Sequence, residues 1–205
     1  DPPPKGRRRR KEAILVGSVL GDAFLQKTGA HNARLRFEHG GKQKEYLLWK
    51  VQALKRLFQG RPTHLSRVHP KTKATYEYWR AQSNATPEIG KLRAVFYPEG
   101  KKRIPENIAK FLKEPLALAV WYMDDGYYYP KDKNSFLYLG RVSRDEAEYA
   151  REALVHNFGL SPRVYDKKQK GFALYFGVFE AKKLHNLVRR YMLLPLFAYK
   201  LGDTH

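Results

Sequence analysis

The chain has 205 residues, with 40 Lys plus Arg against 20 Asp plus Glu, a formal charge of +20, and no cysteine. Disulfides, thiol nucleophiles and Cys-ligated zinc or iron–sulfur centres are therefore excluded. With 42% apolar and 14% aromatic residues it is not a disordered basic tail, and its longest apolar run, Ala13 to Leu25, contains Asp22 and is too short to span a membrane.

In chain order, residues 1–11 read as a basic flexible arm, because three prolines precede Lys5, Arg7, Arg8, Arg9, Arg10 and Lys11. From Glu12 onward 34 basic residues still face 19 acidic ones. Such a charge strains a compact chain by self-repulsion unless a partner uses it, and nucleic acid phosphate is the commonest such partner. Ile14 to Phe24 reads as an apolar helix ending in a carboxylate. A β-like run at Arg34 to Glu38, a helix from Gln43 to Gln59, and strands at Leu65 to Val68 and Ala74 to Ala81 follow. Pro87 to Tyr97 reads as a helix with Pro in its first turn, and a short one begins at Pro105 and ends at Leu112.

A second apolar helix, Leu116 to Gly126, again ends in carboxylates. After it come a strand at Phe136 to Val142 and a helix from Asp145 to Phe158, opened by a Ser143–Glu146 capping box and stopped by Gly159. A hairpin from Arg163 to Val178 turns at Lys167 to Gly171, and the last helix runs from Ala181 to about Leu193. The order helix, strands, helix, strands, helix thus occurs twice. The economical reading is an α+β fold of two pseudo-symmetric halves, residues 12–113 and 114–205.

Carboxylates at helix carboxyl ends are disfavoured by the backbone dipole, so Asp22, Asp124 and Asp125 need compensation. Gly17 and Gly21, four apart, would let another backbone approach one face of the first apolar helix. If the second apolar helix is that neighbour, the acidic ends converge, and a hard divalent cation at Asp22 and Asp125 is the natural remedy.

The segments Leu15–Ala23 and Leu118–Gly126 resemble the paired motifs of the LAGLIDADG homing endonucleases, with Asp22 and Asp125 at the eighth letter. The resemblance runs from about Glu12 to Leu201. It is to the single-chain, two-motif branch, most of all to its mitochondrial omega-intron type. It implies a monomer of two αββαββα halves, motif helices at their interface, and two antiparallel sheets forming a DNA-binding saddle. It further implies Mg²⁺, replaceable by Mn²⁺, held by Asp22 and Asp125 with the backbone carbonyls of Gly21 and Asp124. Lys102 and Lys200 take the place of the family's active-site lysines. The Asp124 side chain is expected to point elsewhere on its helix and serve a structural role. The implied activity is double-strand cleavage of a long asymmetric DNA site, leaving 3′ overhangs. An RNA-splicing maturase acting on intron RNA, or a nuclease-dead DNA-binding protein, is the alternative. The expected setting is intracellular, an organellar matrix or nucleoid, without a membrane partner.

One departure stands out. Where the family often has Gln in the first strand of each half, the aligned positions here are Arg36 and Gly140 or Arg141. Alternation within the expected strands nominates Arg34, Arg36, Glu38, Arg67, His69, Tyr76, Tyr78 and Arg80 for DNA contact in the first half. The second half contributes Tyr138, Arg141, Arg163, Tyr165, Lys167, Lys168 and Lys170, with Tyr127 to Tyr129 as a hydroxyl-rich loop. Sheet arginines suit guanine edges, and loop lysines suit phosphates. The seven histidines do not cluster at metal-ligand spacing, and no Gly-rich phosphate loop followed by Lys and Ser/Thr is present.

Overall fold

The computed structural model describes residues 5–203. Its elements are α1 (Lys5–Leu20), β1 (Phe24–Lys27), β2 (Ala33–Gly40), α2 (Lys44–Ala53), β3 (Thr63–Val68), β4 (Thr75–Gln82) and α3 (Pro87–Phe96). They are followed by α4 (Pro115–Asp125), β5 (Gly126–Tyr129), β6 (Asn134–Gly140), α5 (Arg144–Phe158), β7 (Arg163–Asp166), β8 (Phe172–Phe176) and α6 (Val178–Val188). The order αββαββα therefore occurs twice. Each set of four strands forms its own antiparallel sheet, ordered β1-β2-β4-β3 and β5-β6-β8-β7.

The chain forms two compact units, Asp22–Pro98 and the remainder, in which everything through Gly21 joins the residues from Glu99 on. The expected halves, residues 12–113 and 114–205, divide the chain by its doubled motif rather than by compactness. Helix α1 groups with α4 because Gly17 and Gly21 let the two backbones approach closely.

In the Asp22–Pro98 unit, α2 and α3 pack on one face of the first sheet. Strand β2 alternates strictly: Ala33, Leu35, Phe37 and His39 are buried, while Arg34, Arg36 and Glu38 are partly open. Thr86 caps α3 by accepting from the Ile89 amide, with Pro87 at the first helical position, where no donor is lost. The Tyr97 hydroxyl accepts from the Leu25 amide at 3.3 Å, and Arg93 Nε donates to the Leu25 carbonyl at 3.1 Å, fixing β1 to the end of α3.

In the other unit, α5 and α6 cover the second sheet, and α4 is buried from Leu116 through Met123. Helix α5 has the expected ends. Ser143 and Glu146 form a reciprocal capping box, and Gly159 closes the helix at φ 63°, a left-handed conformation that favours glycine.

Three further expectations change. Residues 5–11 are not an arm but the first turns of α1: Arg and Lys are good helix formers, Arg8 pairs with Glu12 at 2.8 Å, and the apolar half supplies the nucleus. Residues 1–4 of that arm lie outside the described residues. The stretch from Pro105 to Leu112 keeps only a 3-10 turn at Ile108–Lys110, since Asn157 Nδ2 donates to the Ala109 and Leu112 carbonyls in place of a further helical turn. Tyr127 to Tyr129 are not a loop: they lie in β5, paired with Asn134 to Phe136.

Candidate metal centre and nucleic-acid interface

Helices α1 and α4 meet backbone to backbone. A Cβ added at Gly17 would collide with the Ala117 carbonyl oxygen and lie 2.8 Å from Val120 Cβ. One added at Gly21 would lie 2.6 Å from Asp124 Cβ and overlap the Asp124 carboxylate. The two glycines are therefore the contact surface, and the carboxyl end of α1 sits against that of α4. The Asp124 side chain covers Gly21. Asp125, half-buried, closes α4, and Asp22, exposed, follows Gly21 by one peptide.

Each helix end carries a lysine from far along the chain. Lys102 Nζ donates to the Gly21 carbonyl at 2.7 Å, and Lys200 Nζ donates to the carbonyls of Met123 at 2.5 Å and Tyr122 at 3.4 Å. Terminal helix carbonyls lack intrahelical donors and carry partial negative charge, so an ammonium is the favoured partner. These lysines supply the compensation that the acidic ends require. The Gly21 carbonyl, expected as a metal ligand, is thus already engaged by Lys102, and the donor to α4 bonds the carbonyls preceding Asp124.

The two lysines differ in setting. Lys102 is exposed, whereas Lys200 is only 4% exposed within the 3-10 turn Pro195–Leu201. Behind Lys200 lies a polar cluster that sequence reading missed. Tyr122 donates to the Lys200 carbonyl at 2.7 Å and contacts Ser135 at 3.1 Å, and Ser135 Oγ lies 2.9 Å from His185 Nε2. Burial raises the Tyr122 pKa, so its hydroxyl stays protonated. Burial, then the Arg189 charge, pushes His185 down to about 4.

A histidine held below its unfolded value of about 6.5 binds fewer protons folded than unfolded, so stability is full above that pH and falls as pH drops toward 4. Thermal melts should show the midpoint falling between pH 6.5 and 4, with His185→Gln flattening that segment of the profile. An unchanged slope in the variant would assign the acid sensitivity elsewhere.

The sheets' open faces follow from their register. In the first, Gln26 pairs with Arg34, Glu38 with Arg80, Arg36 with Gln82, and Arg67 with Tyr76. Glu38 accepts from Arg80 at 2.8 Å and stands 4.0 Å from Arg67, while Gln26 accepts from Arg36 at 3.1 Å. In the second sheet the open face is aromatic, centred on Phe136 and flanked by Tyr127, Tyr129, Tyr138, Tyr165 and Tyr175.

Residues 12–184 match the LAGLIDADG DNA endonuclease family. The chain belongs to that family. It is similar to the homing endonuclease I-WcaI, whose structure is bound to its DNA recognition sequence, with a TM-score of 0.86, 25% identity, and coverage of 100% of this chain and 96% of that one. A probable intron-encoded endonuclease 1 of Wickerhamomyces canadensis is 28% identical over 197 residues, covering 93% of this chain and 83% of its own length. Protein RecA of Mycolicibacterium flavescens is 32% identical over 203 residues, 92% of this chain but 45% of the relative. The chain therefore spans under half the length of the RecA relatives it matches.

In this LAGLIDADG chain the nominated residues separate into groups. Arg34, Arg36, Glu38, Arg67, Tyr76, Tyr78 and Arg80 share the open face of the first sheet; His69 does not, lying in the turn after β3, where its Nδ1 accepts from the Lys71 and Thr72 amides. Tyr138, Arg163 and Tyr165 lie on the open face of the second. Arg141 follows that sheet's bulged β6 end, Lys167 sits over the Tyr138 ring at 4.5 Å, and Lys168 and Lys170 occupy the β7–β8 turn. Arg36 and Gly140 or Arg141, expected in the first strand of each half, lie elsewhere. Those positions belong to the second strand of each half or to its end; the first strands are β1, which carries Gln26, and β5, which carries no Gln. Phe24, Gln26, Gln82, Phe136 and Tyr175 were missed, although Phe136 and Tyr175 alternate in register with nominated tyrosines.

No helix among the described residues is long and apolar enough to cross a membrane.

Proposed function

We propose that this chain is a sequence-specific, double-strand DNA homing endonuclease that hydrolyses phosphodiester bonds with a divalent metal and leaves 3′ overhangs. The doubled helix-end arrangement carries the reading: each motif helix runs into an aspartate, and a lysine donates to a carbonyl at the carboxyl end of each. The I-WcaI likeness over the full chain supports DNA as the substrate.

Mg²⁺, or Mn²⁺ in its place, fits the donors. Among the described residues no three His, Cys, Asp or Glu gather into a complete ligand cage. Mg²⁺ needs no such cage, since it keeps several waters and binds through one or two carboxylates plus substrate phosphate. Asp22 and Asp125 would hold it, aided by the Asp124 carbonyl. The bound metal supplies an activated water and charge stabilisation at the phosphate. Lys102 and Lys200, bonded to carbonyls at the two helix ends, would order solvent or offset charge developing on phosphate. The basic surface supplies affinity, and the protein acts as a monomer on a long asymmetric site.

The direct test is cleavage of a randomised duplex DNA pool in Mg²⁺, with all new ends sequenced and a chelator control. Discrete staggered cuts that require metal are expected. Binding of intron RNA or DNA without cuts would instead select the maturase or nuclease-dead alternative. Affinity for the selected duplex should also fall about 10³- to 10⁵-fold between roughly 50 and 200 mM salt if 6–10 phosphates are contacted. Fluorescence anisotropy across that range checks this, and a flat response would remove phosphate contact as the source of affinity.

A further inference from the structure

We propose that the two sheets read DNA by different chemistry: the β1–β4 sheet identifies bases through hydrogen bonds, and the β5–β8 sheet senses thymine methyl groups through an aromatic surface. The proposal rests on the DNA-endonuclease reading above.

On the β1–β4 sheet the open face is built of forked polar groups. Arg36 donates to Gln26 at 3.1 Å, Arg34 to Gln82 at 3.4 Å, and Arg80 to Glu38 at 2.8 Å. Each side chain is thus held by its neighbour before DNA arrives, which lowers the ordering cost of binding. Arg matches the O6 and N7 acceptors of guanine, Gln the N6 and N7 of adenine, and Glu the N4 donor of cytosine. All three types stand together here.

The β5–β8 sheet offers fewer such groups, Asn134 and Arg163, and rings dominate its open face. Phe136, which has no hydrogen-bonding group, is the hub: its ring centroid lies 5.4 Å from that of Tyr129, 5.5 Å from Tyr165, 5.2 Å from Tyr175, and stacks on Tyr138 at 5.8 Å. Tyr127 extends the cluster, 4.7 Å from Tyr129. The Tyr129 and Tyr138 hydroxyls are bonded to each other, which spends polar capacity within the protein. Cations stand over the rings: Lys167 is 4.5 Å from the Tyr138 centroid, and Arg163 is 5.0 Å from that of Tyr175. A face of this kind gives apolar contact to the thymine C5 methyl, while Lys167 beside the β7–β8 turn takes phosphate and Arg163 is engaged over the Tyr175 ring.

Base analogues test the division without altering the protein. The target is first selected from the randomised duplex pool, and binding is then read by anisotropy in chelator. Replacing purines by 7-deazapurines removes N7 acceptors; replacing thymidine by deoxyuridine removes methyl groups. In one half-site the deaza change should weaken binding about tenfold or more and the uridine change little; in the other the order should reverse. Arg36→Ala should reduce the deaza sensitivity without touching the methyl sensitivity, and Phe136→Ala should do the reverse. Equal sensitivities in both halves, or methyl sensitivity lost with Arg36→Ala, would overturn the division while leaving the endonuclease reading intact. A pool yielding neither cuts nor sequence-selective binding would overturn the endonuclease reading, and this proposal with it.

Discussion

Asp22→Asn and Asp125→Asn should each abolish cleavage of the selected duplex, by about 10³-fold or more, while binding measured in chelator stays within about twofold. Asn keeps the shape of Asp and removes its charge, so the loss isolates the carboxylate. Each variant should fail because a hard cation held by two carboxylates and substrate phosphate loses half of its protein charge when one becomes an amide. Cleavage rates under single-turnover conditions, with melting curves to show that the variants are folded, make the measurement. If both variants cut at the normal rate, the assignment of these residues to the metal is wrong. If binding collapses in step with cleavage, their role lies in holding DNA.

Gly17→Ala should have the largest effect on stability. The added methyl would overlap the Ala117 carbonyl oxygen, which belongs to a buried helix backbone and can move only if α4 moves. Overpacking of this kind costs about 1–3 kcal/mol and occasionally more, and a backbone obstacle places Gly17 at the upper end. Gly21→Ala would place its methyl 2.6 Å from Asp124 Cβ, which side-chain rotation does not move, so it should destabilise too, but less, because Gly21 follows the last residue of α1 and a chain end shifts more readily than a helix interior. Gly6→Ala, also in α1, meets nothing within 4 Å and should be neutral or stabilising by up to about 1 kcal/mol. Chemical denaturation of the three variants tests that order. A Gly17→Ala protein as stable as its parent would show that α1 and α4 do not pack through this face.

Much of the fold was legible because it is local. The Gly17 and Gly21 spacing identified the face of α1 that meets α4, and the capping box and Gly159 delimited α5 correctly. Alternation in β2 named the residues of its open face. The short strands β1 and β5 escaped, since four residues after a motif helix give too few alternations to count, and three consecutive tyrosines read equally well as loop.

What the sequence determined by itself was every property set over a few residues: helix periodicity, caps, strand alternation, the doubled motif and the excess of positive charge. What only the tertiary structure decided was the partnering of groups distant along the chain. Lys102 reaches a carbonyl 81 residues away, and Lys200 reaches one 77 residues away. Phe136 becomes the centre of an aromatic face only when β7 and β8 bring Tyr165 and Tyr175 beside it. The physical reason is the same in each case: local pattern reports which side of an element is buried, but it carries no distance between elements, and both the compensation of helix-end charge and the character of a binding surface depend on that distance.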